Sequence, residues 1–231
     1  MSPRPKRRTA ISNLPERIIA AAWEQIALEG APALSLRAIS RSLKISAPSI
    51  YNYFADRDAL VTALIIDAYT SFGDRQIQAR DAVPEADLIG RLQAIGTAYR
   101  QWALEYPQRY HLIFGTPIPG YSAPFEKVFP SATRSLSALV SVVEALRQAG
   151  KLHVENFPKF NPEFESNFEQ WKIYGGQVEQ ISLSVAILIW TRVHGLISIE
   201  IAGNLPPYGP DGGDLYRFEL ASIEQQFFTN K

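Results

Sequence analysis

Between Asn13 and Phe54 the apolar residues fall into three short runs at helical spacing. Only the four residues Leu43 to Ser46 separate the last two runs. Two short helices joined by so brief a turn form the spacing of a helix-turn-helix, with the preceding helix as its support. The first run is Ile18, Ile19, Ala22, Trp23, Ile26 and Ala27, one apolar face at helical steps. Asn13 is expected to cap it, with Glu16 at capping-box spacing and Pro15 in the first turn. Gly30 and Pro32 end it. Ser35 opens the second helix, with Leu36, Ile39 and Leu43 facing inward, and Ser46 opens the third.

The third run reads LKISAPSIYNYF, Leu43 to Phe54. Ile45 before Ser46 and Ile50 after it have the spacing of a hydrophobic staple, and Ile50 and Phe54 lie one turn apart. The pattern leaves Ala47, Pro48, Ser49, Tyr51, Asn52 and Tyr53 on other faces. Asp56 then caps a fourth helix, in which Leu60, Leu64, Ala68 and Phe72 continue the periodicity.

The remaining chain is expected to be helical and more apolar. Residues 84–105 carry Leu88, Leu92, Ile95, Ala98, Tyr99 and Trp102 at helical steps. Residues 106–115 form a short aromatic segment, and residues 116–130, with four prolines, read as a loop. Helices are expected over 131–149 and 177–202, and one that Asp214 begins and Phe227 and Phe228 end. Phe160, Phe164, Phe168 and Trp171 suggest a further short amphipathic helix. No strand pattern stands out, so the fold class is all-α. Residues 1–12 are a basic arm, 13–60 a helix-turn-helix domain, and 61–231 a larger helical domain.

Composition narrows the chemistry. The 231 residues carry no net charge, but residues 1–60 hold nine Lys and Arg against five Asp and Glu, a net +4. A basic end on a balanced protein points to a local nucleic-acid contact. There is no cysteine, which rules out thiolate catalysis and a disulfide scaffold and suits a reducing cytoplasm. The basic N-terminus lacks the apolar run of a secretory signal. The apolar run 181–190 is about half the ~20 residues of a membrane span, and Arg192 and Glu200 interrupt its helix, so no membrane is expected. The three histidines, His111, His153 and His194, lack metal-ligand spacing. No nucleophile elbow, P-loop or dinucleotide fingerprint is present, so neither a catalytic residue nor a cofactor is assigned. An enzyme of unknown activity and a helical protein-interaction module are the rival classes.

The segment LSLRAISRSLKISAPSIYNYFADRDALV, with the helix before it and the helical remainder, resembles the TetR family of bacterial transcriptional regulators. WTRVHGLISIEIAGNLPP resembles a C-terminal regulatory domain named for its Trp-His-Gly residues, Trp190, His194 and Gly195. The resemblance implies a cytoplasmic homodimer on a palindromic double-stranded DNA operator, released by a small effector held in the C-terminal domain. The dimer is expected through helices near 177–202 and 214–228. Two positions depart from the family's common pattern: Tyr53 stands where His is frequent, and Arg57 where Lys is frequent.

On this basis Ser49, Tyr51 and Arg57 are assigned to phosphates. Ser46 starts the helix whose N-terminal amides favour phosphate. Ala47, Pro48 and Asn52 are assigned to base edges, Asn52 to adenine. Arg37 is expected at a phosphate or a base, with a plain surface arginine as the alternative. Tyr53 can donate a hydrogen bond but carries no charge. Arg4, Lys6, Arg7 and Arg8 can add charge or enter a minor groove. Trp102, Tyr106, His111, Phe114, Trp190 and His194 are candidates for the effector pocket, against the alternative that they are core. An apolar or aromatic effector is expected.

Overall fold

A computed structural model of the chain describes residues 13–160, 168–169, 172, 177–206 and 211–229. The basic arm, and most of the amphipathic segment around Phe164 and Trp171, lie outside these. Among the described residues there are nine α-helices and no strand, only a single antiparallel bridge between Leu152 and Phe228. The chain divides into two compact units. One is Met1–Leu64 with Thr116–Ser122; the other is Ile65–Gly115 with Ala123–Lys231.

The first unit is built on α1 (Leu14–Glu29), α2 (Leu36–Ser42), α3 (Ala47–Tyr51) and the start of α4 (Arg57–Asp81). Leu14, Ile18, Ala22 and Ile26 form the buried stripe of α1. It meets Leu34, Leu36, Ile39, Ile50, Leu60, Val61 and Leu64, all buried. Each such side chain contributes roughly 1.5–3 kcal/mol when fully removed from water, which offsets the poor intrinsic stability of helices as short as α2 and α3. Ala27, expected on the α1 stripe, is exposed, and the polar Gln25 is buried instead.

Two of the four expected caps form. Ser35, extended at φ −140°, accepts from the Ala38 amide at 3.4 Å, and Asp56 Oδ1 accepts from the Ala59 amide at 2.7 Å. Asn13 does not cap α1. It sits in the left-handed region at φ 70°, whereas side-chain capping needs an extended residue, so the capping box with Glu16 is absent. Ser46 precedes α3 in the extended conformation a cap requires, but its hydroxyl pairs with that of Ser49 at 2.7 Å. The segment 116–122, remote in sequence, belongs to this unit: Ile118 is buried, and the Tyr121 and Thr62 hydroxyls share a hydrogen bond at 2.9 Å.

The second unit comprises the rest of α4 with α5 (Leu88–Glu105), α6 (Pro107–Phe114), α7 (Phe125–Gln148), α8 (Gln180–Ile201) and α9 (Gly213–Phe227). One core joins them. It is formed by Phe72, Ile95, Tyr99 and Trp102 with Val140, Val143 and Leu146, then Val185, Ile189, Val193 and Ile197, and finally Tyr216 and Ile223. One expectation is corrected and one is sharpened. The aromatic segment at 106–115 contains a helix, with Pro107 in its first turn where no amide is needed. The proline-rich loop is shorter than expected, because α7 begins at Phe125 and carries Pro130 inside it. That proline lies early in the helix and is exposed, and in the turn before it Phe125 stacks on Phe129 at 4.4 Å.

Helix α8 is long and apolar enough to cross a membrane by composition alone, with a mean hydropathy of 1.5 over its best window. Its charges are used within the unit. Arg192 pairs with Glu219 at 2.5 Å, and Glu200 accepts two bonds from Arg100 at 2.5 and 2.8 Å. The same Glu200 oxygen accepts from the Gly212 amide at 3.1 Å, which anchors the approach to α9.

Candidate nucleic-acid interface and internal cavity

Helix α3 is five residues long and buries only Ile50, which is fully inaccessible. So short a helix is held by the side chains just outside it: Ile45 and Phe54, both half-buried, flank Ile50. Everything else is presented outward. Ser46, Pro48, Tyr51, Asn52 and Tyr53 are exposed, and Ala47 and Ser49 are partly so. Tyr51 and Tyr53 expose 46% and 50% of their surface, which excludes a core role for Tyr51. Asn52 and Tyr53 follow α3 in a turn closed by the Phe54 amide on the Ile50 carbonyl at 3.0 Å. Arg37 is exposed on α2. The surface thus combines hydroxyls, an amide, a small apolar pair and cations. That set can hold phosphates and touch base edges.

Arg57 has a different environment from the one expected for a free phosphate ligand. Its Nε donates to the Leu34 carbonyl at 3.2 Å, and its Nη2 donates to the carbonyls of Ala31 and Pro32 at 3.1 and 3.2 Å. Nη1 lies 3.7 Å from Asp58. From the opposite side Gln25 grips the same turn: its Oε1 accepts from the Ser35 amide at 3.1 Å, and its Nε2 faces the Ala33 carbonyl at 3.4 Å. Residues 30–35 are therefore held between α1 and the first turn of α4, and this turn sets where α2 begins. Spacing gave no hint of these contacts, because the carbonyls lie more than twenty residues from Arg57.

In the second unit three of the six expected pocket residues, Phe114, Trp190 and His194, come together, and the other three do not join them. His194 is the centre of an aromatic cluster. Trp190 stacks on it at 4.8 Å, Tyr110 at 5.6 Å, and Phe114 meets it edge-on at 5.0 Å. Its Nδ1 lies 2.7 Å from the Tyr99 hydroxyl and 3.2 Å from that of Tyr110, and its Nε2 is 3.4 Å from Ser198 Oγ. Burial lowers the His194 pKa and raises those of both tyrosines. A neutral ring with protonated tyrosines follows, with a hydrogen bond shared between Nδ1 and the Tyr99 hydroxyl. Trp102 belongs to the core, its indole N–H donating to Ser71 at 3.0 Å. Tyr106 and His111 are exposed.

An apolar cavity lies beside the cluster, between α5, α8 and α9. Tyr99, Ile189, Trp190, Val193, Leu220 and Ile223 are among its lining residues. About 20 Å³ is open to the centre of a water-sized sphere, room for about one water. Of the six expected residues only Trp190 borders it. The Trp190 indole N–H is buried and makes no hydrogen bond of acceptable geometry, although it lies close enough to Tyr99 to favour the tyrosine's anion. No cluster of metal-binding side chains occurs among the described residues.

An exposed helix-turn-helix followed by a larger helical unit is the architecture of a DNA-binding regulator, and comparison with known proteins identifies its family. Residues 18–64 match the family of bacterial regulatory proteins called tetR, and residues 92–223 match the tetracyclin repressor-like C-terminal domain. The chain belongs to the TetR family: it is a DNA-binding transcriptional regulator and not an enzyme. The matching C-terminal family is this general one, so the Trp-His-Gly subgroup remains a resemblance.

Among its relatives is an HTH-type transcriptional regulator of Mycobacterium tuberculosis. It is 33% identical over 207 residues, which is 89% of this chain and 87% of the relative. The crystal structure of the regulatory protein SCO4313 is 35% identical with a TM-score of 0.71, covering 90% of this chain and 93% of that one. A protein of unknown function from Rhodococcus sp. RHA1 shares the fold at 18% identity, with a TM-score of 0.71 over 98% of this chain and 100% of that one.

Proposed function

We propose that the protein is a cytoplasmic homodimeric repressor that binds a palindromic operator and leaves it when a small apolar or aromatic effector enters the second unit. The observation that carries the DNA-reading part is the five-residue α3, which buries one side chain and exposes the rest. Ser46, Ser49 and Tyr51 hold phosphates. Ala47, Pro48 and Asn52 meet base edges, and Arg37 and Tyr53 lie at the groove's margin. Arg57 acts on DNA through the turn it grips.

The dimer is supported by α8, whose outer face keeps Leu188 and Ile199 exposed at 45% and 42%, and by Phe218 on α9 at 71%. A Cβ at Gly195, between the two exposed residues of α8, would meet nothing within 4 Å, so another backbone can come close there. Large apolar side chains left in water on one helical face favour a second copy. The effector reading is supported by the aromatic cluster and the unpartnered Trp190 N–H, which suit an apolar compound bearing one hydrogen-bond acceptor. Its entry must widen a cavity that has room for only about one water.

The test is titration of a duplex from the protein's own promoter region at several salt concentrations, with and without candidate effectors. Tyr51→Ala is expected to weaken binding to all sequences. Asn52→Ala is expected to relax preference at one base position, by roughly 1–3 kcal/mol. Uniform weakening by Asn52→Ala would remove its base-reading role. Stabilisation of the thermal midpoint by polar or charged compounds alone would remove the apolar-effector reading.

A further inference from the structure

The turn between α2 and α3 is built against the preference of its own residue. Ile45 donates its amide to the Ser40 carbonyl at 3.0 Å, and Lys44 donates to the Arg41 carbonyl at 3.1 Å. This pair of bonds is the Schellman closure of a helix, and it places Lys44 in the left-handed region at φ 54°. Glycine is the ordinary occupant of that position because a Cβ crowds the backbone there. The other non-glycine residue at positive φ among the described residues is Asn13, a type that tolerates it. Lysine has no side-chain bond to its own backbone that would compensate.

What lysine does supply is charge in a particular place. Arg37 and Arg41 stand one turn apart on α2, Lys44 follows in the turn after it, and all three are exposed. From residue 30 to residue 55 the chain carries these three cations and no Asp or Glu. Among the described residues none of the three joins an ion pair. In a helix-turn-helix the first helix of the pair crosses the DNA backbone while the second enters the groove. Arg37 and Arg41 belong to that first helix, and Lys44 to the turn that ends it.

Resting on the DNA-binding reading above, we infer that Arg37, Arg41 and Lys44 form a phosphate-binding rail along α2 and the turn after it, and that Lys44 occupies a glycine position because its ammonium ends this rail at the turn. The backbone strain at residue 44 is retained for DNA affinity. Phosphate contacts of this kind set register and carry no sequence information, so the rail acts on operator and non-specific DNA alike.

The full-length protein with Lys44→Gly, Lys44→Asn and Lys44→Arg substitutions tests this. The readouts are the thermal midpoint and titration of a promoter-region duplex and an unrelated duplex across a salt series. Lys44→Gly is expected to raise the midpoint and yet weaken both duplexes. The loss is about eightfold per subunit at 0.1 M salt, and the salt slope becomes shallower by about 0.9 per subunit. Lys44→Asn, which suits the left-handed backbone but lacks charge, is expected to lose the same affinity and slope, and Lys44→Arg to keep both. Because the weakened Gly variant is the more stable one, misfolding cannot account for its loss. Undiminished affinity and slope in the Gly or Asn variant would overturn the rail and leave residue 44 a turn residue only. A fall in the midpoint of the Gly variant would overturn the strain argument. A wild-type protein that binds neither duplex would overturn the docking geometry on which the rail depends.

Discussion

Replacing Arg57 separates two roles that its charge alone would confuse. As a phosphate ligand, Arg57 would be replaceable by lysine with little change in the free protein. The geometry gives it three hydrogen bonds to the carbonyls of Ala31, Pro32 and Leu34, from a side chain 31% exposed. A hydrogen bond of this kind is worth about 0.5–1.5 kcal/mol net. The exposed carbonyl of Pro32 regains water when its partner is lost, so the lower half of the range applies there. Arg57→Ala is therefore expected to cost about 2–3 kcal/mol.

Lysine has one nitrogen on a flexible stem and cannot reproduce a fork that reaches three acceptors, so Arg57→Lys should cost about 1–2 kcal/mol. For a chain of this length each kcal/mol moves the melting midpoint by about 2–4 °C. The alanine variant should melt roughly 5–10 °C below wild type and the lysine variant between them. Thermal unfolding followed by circular dichroism measures this, with DNA titration in parallel. A lysine variant as stable as wild type refutes the clamp. So does an alanine variant that loses DNA affinity with its melting midpoint unchanged. The Arg57–Asp58 contact at 3.7 Å is exposed and adds little.

Two further outcomes follow from the second unit. Glu144 accepts from Arg147 at 2.8 and 3.0 Å, and from Gln148 and Ser182 at 2.8 and 2.7 Å; these bonds, the Arg147 guanidinium first, hold its pKa down to about 2. A carboxyl whose folded pKa is depressed stabilises the fold above its unfolded value, and that contribution is lost as pH falls toward the folded value. Glu144→Gln should accordingly melt below wild type at neutral pH, with the gap closing as pH drops from about 5 to about 3; a gap independent of pH would refute the linkage. On the outer face of α8, Leu188→Glu should leave the subunit's own core untouched and raise the dissociation constant of the proposed dimer about 100-fold or more, since an unpaired buried charge costs several kcal/mol. Sedimentation at micromolar concentration reads this directly, and a variant that stays dimeric would place the interface elsewhere.

The sequence by itself determined the all-α class and most of the helices in their order, because those depend on neighbours within one turn. The buried stripe of α1 through Ile18, Ala22 and Ile26, and the caps at Ser35 and Asp56, needed no information beyond four residues away. The family was legible for the same reason, since its motif is a local arrangement of short helices and turns. Local rules also misled where another local conformation competed, as at Asn13, whose left-handed backbone removed the cap that its identity suggested.

Only the tertiary structure decided what meets across long separations. It drew Thr116–Ser122 into the first unit, turned Arg57 onto carbonyls of the α1–α2 turn, and sorted the candidate aromatics. Trp102 went to the core, His111 to the surface, and Trp190 to a cavity with its N–H unpartnered. Helical spacing states which residues share a face, but it does not state what that face will touch. A guanidinium, an indole or a lysine at positive φ acquires its role from partners whose distance along the chain carries no pattern.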